Sequence, residues 1–215
     1  MSSKCILCQS DNINHYYFQK VFSRNFYKCQ NCYLIFVDRL ELINKSEEKS
    51  RYDNHNNSVR TSGYEKFLRR LISATKDYKS PLDYGLDFGQ GPYPMLIELL
   101  KEDGYRNING YDPIYNKDLS LLDNKYDYIT CCEVVEHFSN PLQEFKLLSS
   151  LLKPNGIIVI STGIYSNNTE FADWYYIKDD THINIFTSKT LEWLGNHLKL
   201  QILDLKKDLI VYQKR

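Results

Sequence analysis

After Pro81 the chain alternates short apolar runs with amphipathic ones, and this alternation constrains its fold more than any other feature. "LDYGLDF" (82–88), "NINGYD" (107–112), "YDYITCC" (126–132) and "IIVIST" (157–162) read as buried strands. Between them, "PMLIELLKEDG" opens on Pro94 and ends on Gly104, and "NPLQEFKLLSSLLK" runs into the turn "KPNG", so both read as helices. "SKTLEWLGNHL" predicts a late helix, followed by "KLQILDL" and "DLIVYQ" as an antiparallel pair. Strands alternating with helices mean an α/β fold: a doubly wound, mostly parallel sheet. Ligands of such sheets bind beyond the carboxyl ends of the strands. Ahead of Pro81, "GYEKFLRRLISATKDYK" puts Tyr64, Phe67, Leu68, Leu71 and Ile72 on one helical face.

The first forty residues follow another pattern. Cys5-x2-Cys8 and Cys29-x2-Cys32 form two knuckles separated by twenty residues, which a hairpin through "HYYFQKVFSRNFYKC" brings together. Four thiolates at this spacing suit one tetrahedral zinc with no open position, hence a structural one. The start "MSSKCILCQS" does not resemble a signal peptide, and no run reaches membrane-spanning length, so a cytoplasmic protein with reduced thiols and no membrane partner is expected. Cys131 and Cys132 read as core. The expected organisation is a zinc ribbon over 1–40, a polar linker over 41–61 and an α/β domain over 62–215. Within the linker, Tyr52 and His55 are odd choices for a spacer and suggest a lid.

Two stretches carry the chemistry. In "LDFGQGP" a strand ends at Asp87 and is followed by Gly89 and Gly91, a turn that lets backbone approach a ligand. Asp112 ends the next strand, placed to accept from ribose hydroxyls, although an acid before Pro113 also suits a plain turn. Pro94 stands where a dinucleotide fingerprint would have its third glycine. The second stretch, "TCCEVVEHF", stops an apolar run at Glu133, Glu136 and His137. On one helical turn that spacing shares a face, either as a solvated first turn or as a metal site.

The blocks "LDFGQGP … GYDP … YDYITCCEVVEHF … LLKPNGIIVIST" resemble the class I S-adenosylmethionine-dependent methyltransferases over roughly residues 62–215. That resemblance implies a seven-stranded-type, Rossmann-like sheet and a cofactor site of Asp87, Gly89, Gln90, Gly91, Asp112, Pro113 and Glu133. Asp87 would lie near the cofactor's amino group and Asp112 on its ribose. Two departures stand out: Tyr93 replaces a small residue at the cofactor turn, and only thirteen residues separate Asp112 from Tyr126, too few for the usual third strand and its helix. The adenine contacts are then left open, with Asp118 and Leu119 as candidates. Glu-x-x-Glu-His resembles the metal-dependent O-methyltransferases of small-RNA 3' ends and of ubiquinone synthesis. With His182 from "DDTHINIFT", that resemblance implies Glu133, Glu136, His137 and His182 as ligands of a second metal.

Two carboxylates and two imidazoles suit manganese or zinc more than magnesium alone. Such an ion lowers the pKa of a hydroxyl, while a metal-free route makes His182 or His137, beside Glu136, the general base. The expected activity is methyl transfer to a hydroxyl of a small molecule or glycan. Methylation of RNA ribose, gripped by the ribbon, is the alternative. It is weakened by the balance of 27 Lys and Arg against 27 Asp and Glu. A ribbon adaptor on an inactive scaffold, suggested by Tyr93, is a third. Trp174, Tyr175 and Tyr176 read either as an acceptor pocket or as packing.

Overall fold

The computed structural model describes residues 4–53, 60–166 and 168–215. Strands β1 (Ile13–Gln19), β2 (Arg24–Cys29) and β3 (Ile35–Val37) form an antiparallel meander from the cysteine-rich segment. The polar stretch expected to be a linker instead contains helix α1 (Lys45–Asp53). Its apolar content is too low to bury a face. It is held by polar contacts: the Asn44 side chain accepts from the N–H groups of Ser46 and Glu47, and Lys49 pairs with Asp53 one turn on. His55, the other suggested lid residue, lies outside the described residues. Helix α2 (Ser62–Lys76) starts at Thr61, whose hydroxyl caps the Tyr64 N–H, and it buries Leu68, Leu71 and Ile72.

The α/β part runs β4 (Gly85–Phe88), α3 (Met95–Glu102), β5 (Ile108–Tyr111), β6 (Tyr126–Cys132), α4 (Pro141–Leu151), β7 (Leu152–Ser161), β8 (Ile164–Tyr165), β9 (Asn184–Thr187), α5 (Ser188–Leu198), β10 (Leu200–Lys206) and β11 (Leu209–Lys214). Its main sheet has the order β10-β11-β7-β6-β4-β5, parallel from β7 to β5 and antiparallel through β11 and β10. Among the described residues, this sheet has six strands where a seven-stranded type was expected. The short segment after β5 forms only a one-residue bridge between Asp112 and Asn116 and a 3-10 turn at Leu119–Asp123, so β5 is an edge.

Side chains alternate across this sheet with the period of two that strands impose. Tyr128, Ile157, Val159 and Val211 face α2 and α3, while Ile129, Ile158, Ile160 and Tyr212 face α4 and α5. The second face continues into the cysteine-rich segment, because Leu7, Leu34 and Phe36 belong to the same apolar cluster. Each such fully buried aliphatic side chain contributes roughly 1.5–3 kcal/mol.

The expected boundary near residue 40 separates less than it suggests. β3 pairs with β9 (Ile35 with Ile185, Phe36 with Asn184), so the meander extends into a five-stranded sheet of order β1-β2-β3-β9-β8. The N-terminal unit is thus bonded to the segment that carries His182. Among the described residues, no helix is long and apolar enough to cross a membrane.

Candidate active site

A cleft of about 850 Å³ opens at the carboxyl ends of β4, β5 and β6, lined by Asp87, residues 89–93, Asp112, Glu133, His137 and His182. At its floor, Asp87 is 3% exposed and accepts from Thr130 Oγ1 at 2.8 Å. Burial pushes its pKa up to about 7 despite that hydrogen bond. A carboxyl in this condition gains most from a cation. Gly89 takes φ 85°, and a Cβ there would lie 2.4 Å from Val134 Cγ2, so the turn has both conformational and spatial need of glycine. The Gln90 side chain lies over Gly110, where a Cβ would come 1.7 Å from its Oε1. Tyr93 is half-exposed on the rim and leaves the turn open.

Asp112 makes the bonds expected of an acid in a plain turn. Its Oδ1 accepts from the N–H groups of Ile114 (2.8 Å) and Tyr115 (3.0 Å), just past Pro113, and its Oδ2 accepts from Gly91 N at 3.0 Å. Three of roughly four lone-pair sites are used, which ties the two loops together and leaves acceptor capacity facing the cleft. Asp118 and Leu119 are not brought there. Asp118 caps the 3-10 turn through Ser120, and Leu119 is exposed, whereas Pro113, Ile114 and Tyr115 line the cleft.

The expected helical face of Glu133, Glu136 and His137 does not form. Glu133 adopts φ 51°, its N–H bonds the Ser161 carbonyl, and only Val135–His137 make a 3-10 turn. The chain must reverse at the end of β6 while Val134 packs on Gly89, and a left-handed residue makes that reversal. Ligand atoms of Glu136, His137 and His182 lie within 4.8 Å of one another, and Glu133 stands outside this trio, accepting from Ser161 Oγ at 3.3 Å. Burial, and then the neighbouring Glu136 charge, raise its pKa.

Each member of the trio is oriented from behind. Glu136 is fully buried; its Oε2 accepts from Thr162 Oγ1 at 2.9 Å, and its Oε1 from the Tyr176 hydroxyl. His137 Nδ1 lies 2.9 Å from the Thr181 carbonyl, and His182 Nδ1 lies 2.8 Å from the Tyr176 carbonyl. A carbonyl only accepts, so Nδ1 carries the proton in each neutral ring and Nε2 the lone pair. The ring centroids are 4.9 Å apart. Burial, then the nearby His137, lower the His182 pKa to about 4. An Nδ1–H held by a backbone carbonyl is how proteins orient metal-binding histidines. One carboxylate and two imidazoles fit a divalent transition ion.

Sequence reading missed the supports of this site. Tyr176 is a Glu136 partner rather than an exposed pocket wall, Trp174 packs against it, and Tyr175 is 71% exposed. Thr162 and Asn184 escaped notice, although Asn184 Nδ2 donates to the Phe138 carbonyl at 2.7 Å and to that of Glu136 at 3.2 Å, fixing the turn. Isolated polar residues in apolar strands were the only signal. Helix α1 roofs the same place: the Tyr52 ring meets that of His137 edge-on at 5.3 Å, Tyr115 donates to Asp53 at 2.6 Å, and Arg51 pairs with Asp180 at 2.8 Å.

The four N-terminal cysteines have sulfurs within 4.8 Å of one another, with Cys5–Cys32 and Cys8–Cys29 both at 3.5 Å. A tetrahedral ion with bonds of about 2.3 Å sets its sulfurs about 3.8 Å apart, so the set fits zinc. The knuckles repeat one design: Gln9 N bonds Cys5 O, Tyr33 N bonds Cys29 O, and both residues are left-handed at φ 61°.

Comparisons with known proteins agree with this geometry. Residues 60–205 match a family model described as "Methyltransferase domain". A ubiquinone biosynthesis O-methyltransferase of Histophilus somni is 34% identical over 108 residues, 48% of this chain and 43% of that protein. The Pasteurella multocida protein of the same name is 48% identical over 100 residues, 43% of this chain and 41% of that protein. The chain thus aligns with less than half the length of these relatives. Among solved structures, a Burkholderia thailandensis 1,6-didemethyltoxoflavin-N1-methyltransferase with bound S-adenosylhomocysteine superposes with a TM-score of 0.58 at 12% identity, covering 94% of this chain and 99% of that one. A SAM-dependent methyltransferase from Archaeoglobus fulgidus gives 0.53 at 20% identity, over 70% and 94% of the two chains. With its largely parallel sheet, its glycine turn between Asp87 and Asp112 and a family match over most of its length, the chain belongs to the methyltransferase-domain family.

Proposed function

We propose that the enzyme methylates a hydroxyl of a small molecule or glycan, with a divalent metal at Glu136, His137 and His182. The observation that carries this reading is the pair of imidazoles, each with Nδ1 turned to a backbone carbonyl, beside a buried carboxylate at the cofactor cleft. Such an ion supplies positive charge that lowers the pKa of an acceptor hydroxyl. His182, with its pKa lowered to about 4, is neutral at pH 7 but takes up a proton reluctantly, which weighs against an unassisted general base. The relatives named for ubiquinone biosynthesis support an oxygen acceptor on a small molecule.

For the cofactor, we assign Asp87 to the ammonium group, the 89–91 turn to the methionine backbone and Asp112 to the ribose, with Gln90 and Pro113 shaping the walls. Glu133 faces this side of the cleft. The four thiolates of Cys5, Cys8, Cys29 and Cys32 hold a structural zinc in a ribbon ending near residue 40, and we take the enzyme to be cytoplasmic.

A screen of labelled-methyl transfer against metabolite, glycan and RNA pools, with and without a mild chelator, tests the reading. Transfer to a hydroxyl compound that stops in chelator and returns with manganese, cobalt or zinc is expected. Full turnover in chelator overturns the metal, and salt-sensitive transfer to RNA alone replaces the acceptor class.

A further inference from the structure

The segment carrying His182 is organised by a residue from the other end of the chain. Arg24, at the start of β2, is 2% exposed. Its Nη1 donates to the carbonyls of Asp180 (2.7 Å) and His182 (3.4 Å), and its Nη2 to those of Ile177 (3.0 Å) and Asp179 (3.0 Å). Four carbonyls within six residues thus turn inward onto one guanidinium. Gln19, on the neighbouring strand, holds that guanidinium by accepting from Nε (3.1 Å) and Nη2 (2.9 Å), and its own Nε2 donates to the Ile177 carbonyl at 2.6 Å. The loop curled around Arg24 is also the one that brings the Tyr176 carbonyl to His182 Nδ1 and the Thr181 carbonyl to His137 Nδ1. Asp179 Oδ2 lies 3.8 Å from His182 Nε2 in the same loop.

We propose that Arg24 is a positioning residue: the cysteine-rich N-terminal unit shapes the 177–182 loop through this guanidinium and thereby sets the tautomer and aim of His182. A planar fork with five donors can satisfy several carbonyls at once, whereas an ammonium on a flexible stem concentrates its donors at one point. An Arg24→Lys change therefore keeps the charge but loses the template. Arg24 touches neither acceptor nor cofactor site and acts only through the loop. The consequence for metal affinity rests on the second-metal reading; the consequence for the His182 tautomer does not.

The test uses full-length, zinc-loaded protein as wild type, Arg24→Lys, Arg24→Gln and Gln19→Ala. Zinc content and S-adenosylmethionine affinity report the two regions Arg24 does not shape. Long-range nitrogen–proton correlation of the imidazoles reports the His182 tautomer, and titration with Mn2+ reports the trio. Wild type should show a single Nδ1–H form. The Arg24 variants should keep one zinc and cofactor affinity within about twofold, yet show mixed His182 tautomers and Mn2+ affinity lowered about tenfold or more. Gln19→Ala should fall between. An unchanged Nδ1–H form without Arg24 overturns the proposal, as does joint loss of zinc and cofactor binding in all three variants, which would make Arg24 a general core residue. Wild type that binds no Mn2+ sinks the metal reading alone, and the tautomer result then decides on Arg24.

Discussion

Cofactor binding should depend on pH through Asp87. Its carboxyl is buried under the cleft with one hydroxyl donor, and its pKa is raised from 3.8 to about 7 by that burial. On the proposed assignment of Asp87, pairing with the cofactor's ammonium requires the ionised form. Between pH 5 and pH 7 the ionised fraction rises from about one in a hundred to one half, while an α-ammonium of pKa about 7.7–8.0 stays mostly charged. Affinity should therefore rise about fiftyfold over this interval, or about 2 kcal/mol, with close to one proton released per cofactor bound at pH 5 to 6. Without cofactor the sign reverses. A carboxyl whose folded pKa lies above its unfolded value adds stability below about pH 4 that is lost as pH climbs to about 7, on the order of 4 kcal/mol. Calorimetric titrations in buffers of differing ionisation enthalpy measure both affinity and proton release. Asp87→Asn should bind more weakly at pH 7 and lose the pH dependence. A flat wild-type profile, or an Asp87→Asn variant with the same slope as wild type, would refute this account of the ammonium site.

Tyr176→Phe removes the hydroxyl bonded to Glu136 and should cut metal affinity or turnover about 10- to 100-fold, with cofactor affinity unchanged in calorimetry. Gly89→Ala forces a side chain into Val134 at a left-handed residue, so cofactor binding should vanish and thermal melts should show a loss of at least about 1–3 kcal/mol. Cys29→Ser should release the zinc, read by elemental analysis, and also lower methyl transfer, because β3 and Arg24 reach from that unit to the His182 loop. Normal turnover in a zinc-free variant would separate the two regions.

Much of the α/β part is legible in the sequence because its signals are local. Runs such as 157–162 are apolar throughout, helices end at glycine or proline, and the spacing of Asp87, the glycines and Asp112 places the cleft. The knuckles are equally plain, since their paired spacing already implies the cluster in which the four sulfurs meet. What the sequence hides is long-range. Nothing in "SRNFYKC" marks Arg24 as a partner of residues 177–182, and nothing in "WYYIKDD" separates Tyr176, which bonds Glu136, from Tyr175, which faces solvent. Periodicity also misleads at Glu133: a spacing of three and four implies a helical face, but packing of Val134 on Gly89 turns the backbone there. α1 escapes because a helix held by charged contacts over a cleft has the composition of a loop.

Pairing of β3 with β9 has a consequence for biosynthesis. Ile35 leaves the ribosome about 150 residues before its partner Ile185. At about 5–20 residues per second, the open edge of β3 waits roughly 8 to 30 s for that strand. Over this interval it presents unpaired backbone groups to any other nascent chain. Capture of the proposed zinc by the four cysteines would keep the hairpin closed meanwhile. The length of β3, only three residues, limits the hazard by offering too little edge for a stable intermolecular pairing.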